Sequence, residues 1–340
     1  MTNHIEDLFQ KMLQGDRVAT GQAITLIESE LDHHRSDSIR LLELCEKQES
    51  NLRNSIRFTI SGAPGVGKST LIEALGTKAI SEGSKVGVIT IDPTSNISHG
   101  SILGDKARMH QLSLSPHAFV RSSPAGTVLG GIGRRSRELM TLLSAIGYDL
   151  IFLETVGVGQ SEHIAWQLTD GFVLVIQPGA GDELQGIKRG ITELADIVVV
   201  NKTDGDLESS AKTTLGHYKT ALHYMAHLRQ DWEPRVVASS AVKKNGIDNL
   251  WEVLRLYKVL LSNSPSMEQD RIRQNAFWIQ WSLAQTAQQL LMKNPAVNQK
   301  LAEGLHHIET RQASVFRTEY EIELIMKQIT TSTDVSNIND

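Results

Sequence analysis

Ten consecutive residues, Ser61-Gly62-Ala63-Pro64-Gly65-Val66-Gly67-Lys68-Ser69-Thr70, contain the spacing G-x-x-x-x-G-K-[ST], which is built to hold phosphate. Its glycines let the backbone wrap closely enough for successive N–H groups to point at phosphate oxygens. A helix starting at the lysine adds the positive end of its dipole. Lys68 would neutralise the β- and γ-phosphates of a nucleotide, and the Ser69 hydroxyl would ligate Mg2+. The segment lies between the apolar run RFTI and the amphipathic STLIEALGTKAI. That is the strand-loop-helix setting this chemistry requires.

A second constellation chooses the base. The run ADIVVV leads into Asn201-Lys202-Thr203-Asp204. The Asp204 carboxylate can accept hydrogen bonds from both N1–H and the N2 amino group of guanine. Adenine has neither donor, and a buried charged acceptor left unsatisfied costs roughly 2–5 kcal/mol. Lys202 would lay its stem over the ring, and Asn201 would hold the loop. Ser239-Ser240-Ala241 follows the run PRVVA and would offer a backbone N–H to the guanine O6. Alone, N-K-x-D is an ordinary polar strand-end turn. Downstream of a phosphate loop and one strand before S-S-A, it specifies GTP rather than ATP.

Carboxylates for metal and hydrolysis also sit at strand ends. VGVITI ends in Asp92-Pro93-Thr94-Ser95, and YDLIFLE ends in Glu154-Thr155-Val156-Gly157. A carboxylate beside the phosphate loop binds Mg2+ directly or through its waters and orients the attacking water. Gly157 stands where the glycine of D-x-x-G senses the γ-phosphate. Asp105, in GDKARM, is the third metal candidate, with a helix N-cap as its plainer reading. No finger arginine or catalytic glutamine is assignable; Gln160, in VGVGQSE, reads equally well as a loop residue.

These residues need a scaffold, and the hydropathy pattern supplies one. IRFTISG, KVGVITID, YDLIFLET, GFVLVIQP, ADIVVVNK and PRVVASS read as strands, several apolar throughout as if covered on both faces. Helical patterns over 68–80, 135–146, 207–230 and 246–261 fill the gaps. The expected fold is α/β, a doubly wound, mostly parallel sheet that binds ligands at the carboxyl ends of its strands. Residues 1–55 read as a helical extension, 56–262 as the nucleotide domain, 263–330 as a helical arm and 331–340 as a polar tail. In the arm, Phe277, Trp281, Ala284, Ala287 and Leu291 form an apolar stripe at helical spacing.

Composition narrows the function classes. A net charge of −5 over 340 residues, with basic residues dispersed, argues against nucleic acid as a ligand. Arg134, Arg135 and Arg137 read as a solvated helix face, or as a contact for phosphate or a partner. No apolar run is long enough to span a bilayer, and the N-terminus does not read as a secretory signal. The single cysteine, Cys45, lies in a helical pattern and reads as a small buried hydrophobe in a reducing, cytoplasmic setting.

Taken together, AITLIES, SGAPGVGKSTLIEAL, IDPTS, GDKARM, LGG, ETVGVGQSE, SSA and above all QPGAGDELQGIKRGITELADIVVVNKTDGD closely resemble the MeaB/ArgK family. These are P-loop GTPases associated with methylmalonyl-CoA mutase. The resemblance implies GTP/GDP and Mg2+ as ligands, low intrinsic GTPase activity and a homodimer joined through the C-terminal helices. It also implies a role as chaperone of an adenosylcobalamin-dependent acyl-CoA mutase, gating cofactor loading and protecting the mutase. Asp182, Glu183, Gln185 and Lys188 fall in the loop that matches the family's additional switch. From residue types alone, that loop is only a charged, glycine-bearing connection. The run GGIGRRSRE departs from the family by being more basic.

Two other classes compete. A metal-delivery GTPase needs a Cys/His ligand set, but His33-His34 and His306-His307 are adjacent pairs that point to different helix faces. A kinase acting on an amino-acid transport system needs a substrate pocket and a base for an incoming hydroxyl, and no separate substrate domain is legible.

Overall fold

A computed structural model describes residues 2–29, 31–92, 108–124, 135–157, 161–179, 189–225, 228–229, 231–310 and 314–332. Four helices come first: α1 (Thr2–Leu13), α2 (Arg17–Glu28), α3 (Asp32–Glu46) and α4 (Glu49–Asn54). Asp16 starts α2 by accepting from the Val18 and Ala19 amides at 2.8 and 3.1 Å, satisfying N–H groups that the helix itself cannot. Ile5, Phe9, Met12, Ile24, Ile27 and Leu41 are buried together with Cys45. Burial pushes the Cys45 thiol up to about 12, so it behaves as a hydrophobe and not as a nucleophile.

Seven strands then form one sheet: β1 (Ile56–Ser61), β2 (Val86–Asp92), β3 (Ala118–Pro124), β4 (Leu150–Glu154), β5 (Gly171–Ile176), β6 (Ile197–Val200) and β7 (Arg235–Ala238). Their order is β3-β2-β4-β1-β5-β6-β7, and every pairing is parallel. β4, β5 and β6 are buried at every position, which accounts for their unbroken apolar runs. β3 is the strand that hydropathy does not reveal. It is a polar edge strand held by a seven-pair register against β2.

The connecting helices are α5 (Lys68–Ser81), α6 (His110–Leu114), α7 (Arg135–Ala145), α8 (Ser161–Trp166), α9 (Arg189–Glu193), α10 (Glu208–Tyr224) and α11 (Ile247–Asn263). On one side of the sheet, Phe58, Ile60, Leu71, Ile72, Val88, Phe152, Leu250 and Tyr257 pack into a single core. On the other, Phe172, Leu174, Val198, Val200, Tyr218 and Leu222 form a smaller one. Each such side chain, fully buried, contributes about 1.5–3 kcal/mol. Arg134 lies outside the described residues, and the other two arginines of the basic stretch opening α7, Arg135 and Arg137, are not on a solvated face. Arg135 pairs with Glu138 at 3.0 Å and donates to the Ser29 carbonyl at 3.0 Å, and Arg137 is half-buried.

The chain divides into two compact units, Met1–Gln274 and Asn275–Asp340. The opening turns of α12 (Ser266–Lys293) belong to the first, although composition groups residues 263–274 with the arm. The cause is a buried ion pair at the amino end of the sheet. Arg271 donates to Asp170 through Nε at 2.9 Å and Nη2 at 2.8 Å. It also reaches the carbonyls of Leu52 and Ser55 at 2.6 and 2.7 Å. Arg57 grips the same carboxylate through its backbone N–H at 2.8 Å and Nη2 at 3.0 Å. Burial pushes the Asp170 carboxyl up, but the Arg271 and Arg57 guanidiniums outweigh it and hold the group below the usual carboxylate range.

In the second unit, α13 (Pro295–Glu309) packs on α14 (Val315–Ser332). Asn294 caps α13 by accepting from the Ala296 amide at 3.0 Å. Gly304 is buried so closely that a Cβ there would lie 2.2 Å from Thr318 Cγ2. The apolar stripe is registered one residue away from its expected centre. On α12 Trp278 is buried and stacks on Trp281 at 4.9 Å, while Ala284 and Ala287 are exposed.

Candidate functional site

The site forms at the carboxyl ends of β1, β4, β5, β6 and β7, where the strand order reverses around β1. β1 ends at Ser61, and the chain turns through Gly62 at φ 148, Gly65 at φ 81 and Gly67 at φ 96. A Cβ on Gly62 would lie 2.1 Å from the Val175 carbonyl oxygen, and one on Gly67 2.6 Å from Asn201 Nδ2. Only glycine fits at either position. α5 then begins at Lys68, so the amides of Lys68, Ser69 and Thr70 have no acceptor within their own helix. Ala63, Pro64, Gly65 and Thr70 are exposed along the rim, and Val66 is buried beneath it.

Lys68 is only 7% exposed. Its ammonium donates to the carbonyls of Gly62 at 2.8 Å and Ala63 at 3.2 Å. Burial pulls its pKa down, the carboxylates of Glu154 and Glu162 act to raise it, and Arg108 lowers it further. Ser69 Oγ donates to Glu154 Oε1 at 2.7 Å, and Glu154 is itself buried. A serine hydroxyl against a carboxylate at the end of a phosphate loop is a hard-oxygen donor pair suited to Mg2+. Asp92 closes β2, one strand away from β1 across β4. Its side chain lies outside what the structure describes, as do Asp105, Gln160 and the four switch candidates Asp182, Glu183, Gln185 and Lys188. Gly157 has φ 88, and a Cβ there would lie 1.9 Å from the Gly62 carbonyl oxygen and 3.0 Å from Lys68 Nζ. The loop after β4 therefore rests directly on the phosphate loop.

Asn201 joins the two constellations. Its Nδ2 donates to the Val66 carbonyl in the phosphate loop at 2.9 Å. Its Oδ1 accepts from Ser239 Oγ and from the Ala241 amide, each at 3.1 Å. Ser239 and Ser240 are buried, and Asp204 is half-buried at the site's edge. Lys202 holds φ 58, a left-handed conformation that costs a non-glycine residue about 1–3 kcal/mol. The Asn201 amide bonding Ile176 O at 2.8 Å and the Thr203 amide bonding Ser239 O at 3.2 Å fix it there.

Two residues not singled out from the sequence join this site. Gln177 follows β5 directly, and its Oε1 accepts from Lys202 Nζ at 3.2 Å. Its only sequence signal is its place at a strand's carboxyl end. Glu162, in α8, is 3% exposed and acts on Lys68. Its 162/165/168 spacing with Ala165 and Leu168 marked a buried face that its charge disguised.

A phosphate loop, a serine-carboxylate pair and an N-K-x-D loop tied together on an all-parallel sheet define a P-loop GTPase. The comparisons carry the assignment further. The family described as methylmalonyl-CoA mutase-associated GTPase MeaB matches residues 20–296, and the chain belongs to that family. GTPase ArgK of Escherichia coli is 40% identical over 287 residues, covering 84% of this chain and 85% of its own. The mouse mitochondrial methylmalonic aciduria type A homolog is 40% identical over 288 residues, covering 83% of this chain and 69% of its own. A solved structure described as an LAO/AO transport system kinase superposes with a TM-score of 0.71 at 31% identity, covering 95% of this chain and 97% of that one.

Proposed function

We propose that the protein binds GTP and GDP with Mg2+ and hydrolyses GTP slowly when alone. In this reading Lys68 neutralises the β- and γ-phosphates, with the backbone N–H groups of Gly62–Thr70, Pro64 excepted, around them. Ser69 and Glu154, with Asp92 and Asp105, hold Mg2+, which would supply charge neutralisation between the phosphates. Asp204 reads the guanine edge, Lys202 covers the ring and Gly157 senses the γ-phosphate. The amides of Ser239, Ser240 and Ala241, expected at the guanine O6, bond instead to Val200 O, Asn245 O and Asn201 Oδ1, so they shape the base subsite from behind. The observation that carries the reading is Asn201 bridging Val66 in the phosphate loop to Ser239 and Ala241. A single side chain thereby couples the phosphate and base subsites.

By family membership, the partner in this proposal is an adenosylcobalamin-dependent acyl-CoA mutase. The protein gates cofactor loading onto it and protects it in the cytoplasm, with Asp182, Glu183, Gln185 and Lys188 relaying the nucleotide state. Residues 263–330 are the proposed dimer arm, of which those beyond Gln274 belong to the second compact unit. Ile279, Leu283, Leu290, Leu305 and Phe316 are each more than half exposed, an apolar surface that a second copy would cover. A pull-down from the native cell with GDP and with a non-hydrolysable GTP analogue tests the proposal. Nucleotide-dependent capture of an acyl-CoA mutase supports it, and an unchanged catch with no mutase removes the partner while leaving the GTPase. The kinase reading rests on the description of the superposing structure. It would require transfer of labelled γ-phosphate to an acceptor other than water.

A further inference from the structure

The loop after β4 leads into α8, which contacts β1. The Thr59 hydroxyl of β1 donates to the Ala165 carbonyl at 3.1 Å, which fixes the height of the helix along the strand. Residues three apart share a helix face, and each residue rises about 1.5 Å. Glu162 therefore lies on the same sheet-facing side as Ala165, roughly 4.5 Å along the helix. The displacement is toward the loop that returns to the carboxyl end of β1. There Gly62 and Ala63 hold the Lys68 ammonium. Glu162 is 3% exposed and Ala165 fully buried, so the carboxylate points inward and not to solvent. Among the described residues, Glu154 and Glu162 are the two carboxylates whose charge acts on Lys68. Only Glu154 is engaged with the Ser69 hydroxyl, which commits it to the metal side of the site. A buried carboxylate is costly to hold beside a phosphate loop, and Glu162 sits one helical turn from the residue bonded to β1, at the level where that strand runs into the loop.

We propose that Glu162 is the catalytic residue that orients and deprotonates the attacking water; this rests on the GTPase reading above. The water oxygen bonds to the γ-phosphorus as the bond from that phosphorus to the β–γ bridging oxygen breaks. The electron pair leaves with GDP. The water proton goes to the Glu162 carboxylate and from there to the released phosphate.

The test is Glu162→Gln, an isosteric change that removes the charge, with Glu162→Asp beside it. Calorimetry with GDP and a non-hydrolysable GTP analogue is paired with single-turnover hydrolysis of labelled GTP, and a melting curve checks the fold. The expected result is retained GDP affinity, equal or tighter analogue affinity, and hydrolysis slowed at least ~10²-fold. Glu162→Asp, which keeps the carboxylate, recovers part of the rate. Hydrolysis within about twofold of wild type overturns the proposal. So does an equal loss of GDP and analogue binding in a folded variant, which would make Glu162 a structural or metal-anchoring group. If Glu162→Gln does not fold, Glu162→Asp decides: a folded protein with wild-type rate refutes the role. If the wild-type protein neither binds nor hydrolyses GTP, the failure lies with the GTPase reading and is seen before any variant is made.

Discussion

The two ends of one sheet use charge in opposite ways. At the amino end, Asp170 is closed between Arg57 and Arg271, its oxygens taking bonds from both guanidiniums. At the carboxyl end, the buried Lys68 ammonium rests on two backbone carbonyls. Buried ion pairs matched within the chain hold structure together. A buried cation whose hydrogen bonds go to neutral carbonyls, with the carboxylates of Glu154 and Glu162 acting on it only through their charge, is poised for a polyanion, because a phosphate outbids a carbonyl for it. The same sheet thus has a clamp at the amino end of its strands and a receptor at the carboxyl end.

Removing Lys68 should break the receptor and spare the clamp. Lys68→Ala is expected to slow GTP hydrolysis by about 10²–10³-fold, with a smaller loss of stability than Asp170→Ala, since Lys68 makes its hydrogen bonds to carbonyls and not to a carboxylate. Titrating GTP and recording a melting curve on one preparation checks both halves. The reverse experiment is Asp170→Ala, which leaves two buried guanidiniums without their carboxylate. It is expected to cost about 3–5 kcal/mol in denaturant unfolding. GDP affinity of the folded protein, measured well below the transition, should stay within about twofold, because the sites are far apart. A large loss of GDP affinity would mean that the two ends are coupled. The smallest effect is expected at Gln177→Ala, where Lys202 loses an acceptor outside the deepest part of the site. A roughly threefold to tenfold rise in the GDP dissociation constant follows from losing one such hydrogen bond, readable by calorimetry.

The receptor was far more legible in the sequence than the clamp. Phosphate loops and N-K-x-D work through backbone geometry and fixed local spacing, so Gly62–Thr70 and Asn201–Asp204 are readable from their neighbours alone. Six strands were legible because burial on both faces leaves an unbroken apolar run. β3 was not, since Arg121, Ser122 and Ser123 are held in a strand by pairing with β2 and not by their own hydropathy. The Asp170–Arg271 pair joins residues about a hundred positions apart, and no local pattern encodes it. The end of the first unit at Gln274 was illegible for the same reason. Glu162 and Gln177 were hidden differently. Each is an ordinary polar residue whose placement becomes meaningful only once α8 and β5 bring it to Lys68 and Lys202.

The central claim is that the chain chooses its purine through one carboxylate, and Asp204→Asn tests it most directly. An amide in place of that carboxylate offers the guanine N2 amino group a donor against a donor, whereas xanthine presents an acceptor there. Calorimetry should show GDP binding weakened by at least ~10²-fold and xanthosine diphosphate bound in its place. GDP affinity unchanged by the substitution, or ATP bound by the wild-type protein as tightly as GTP, would contradict the account.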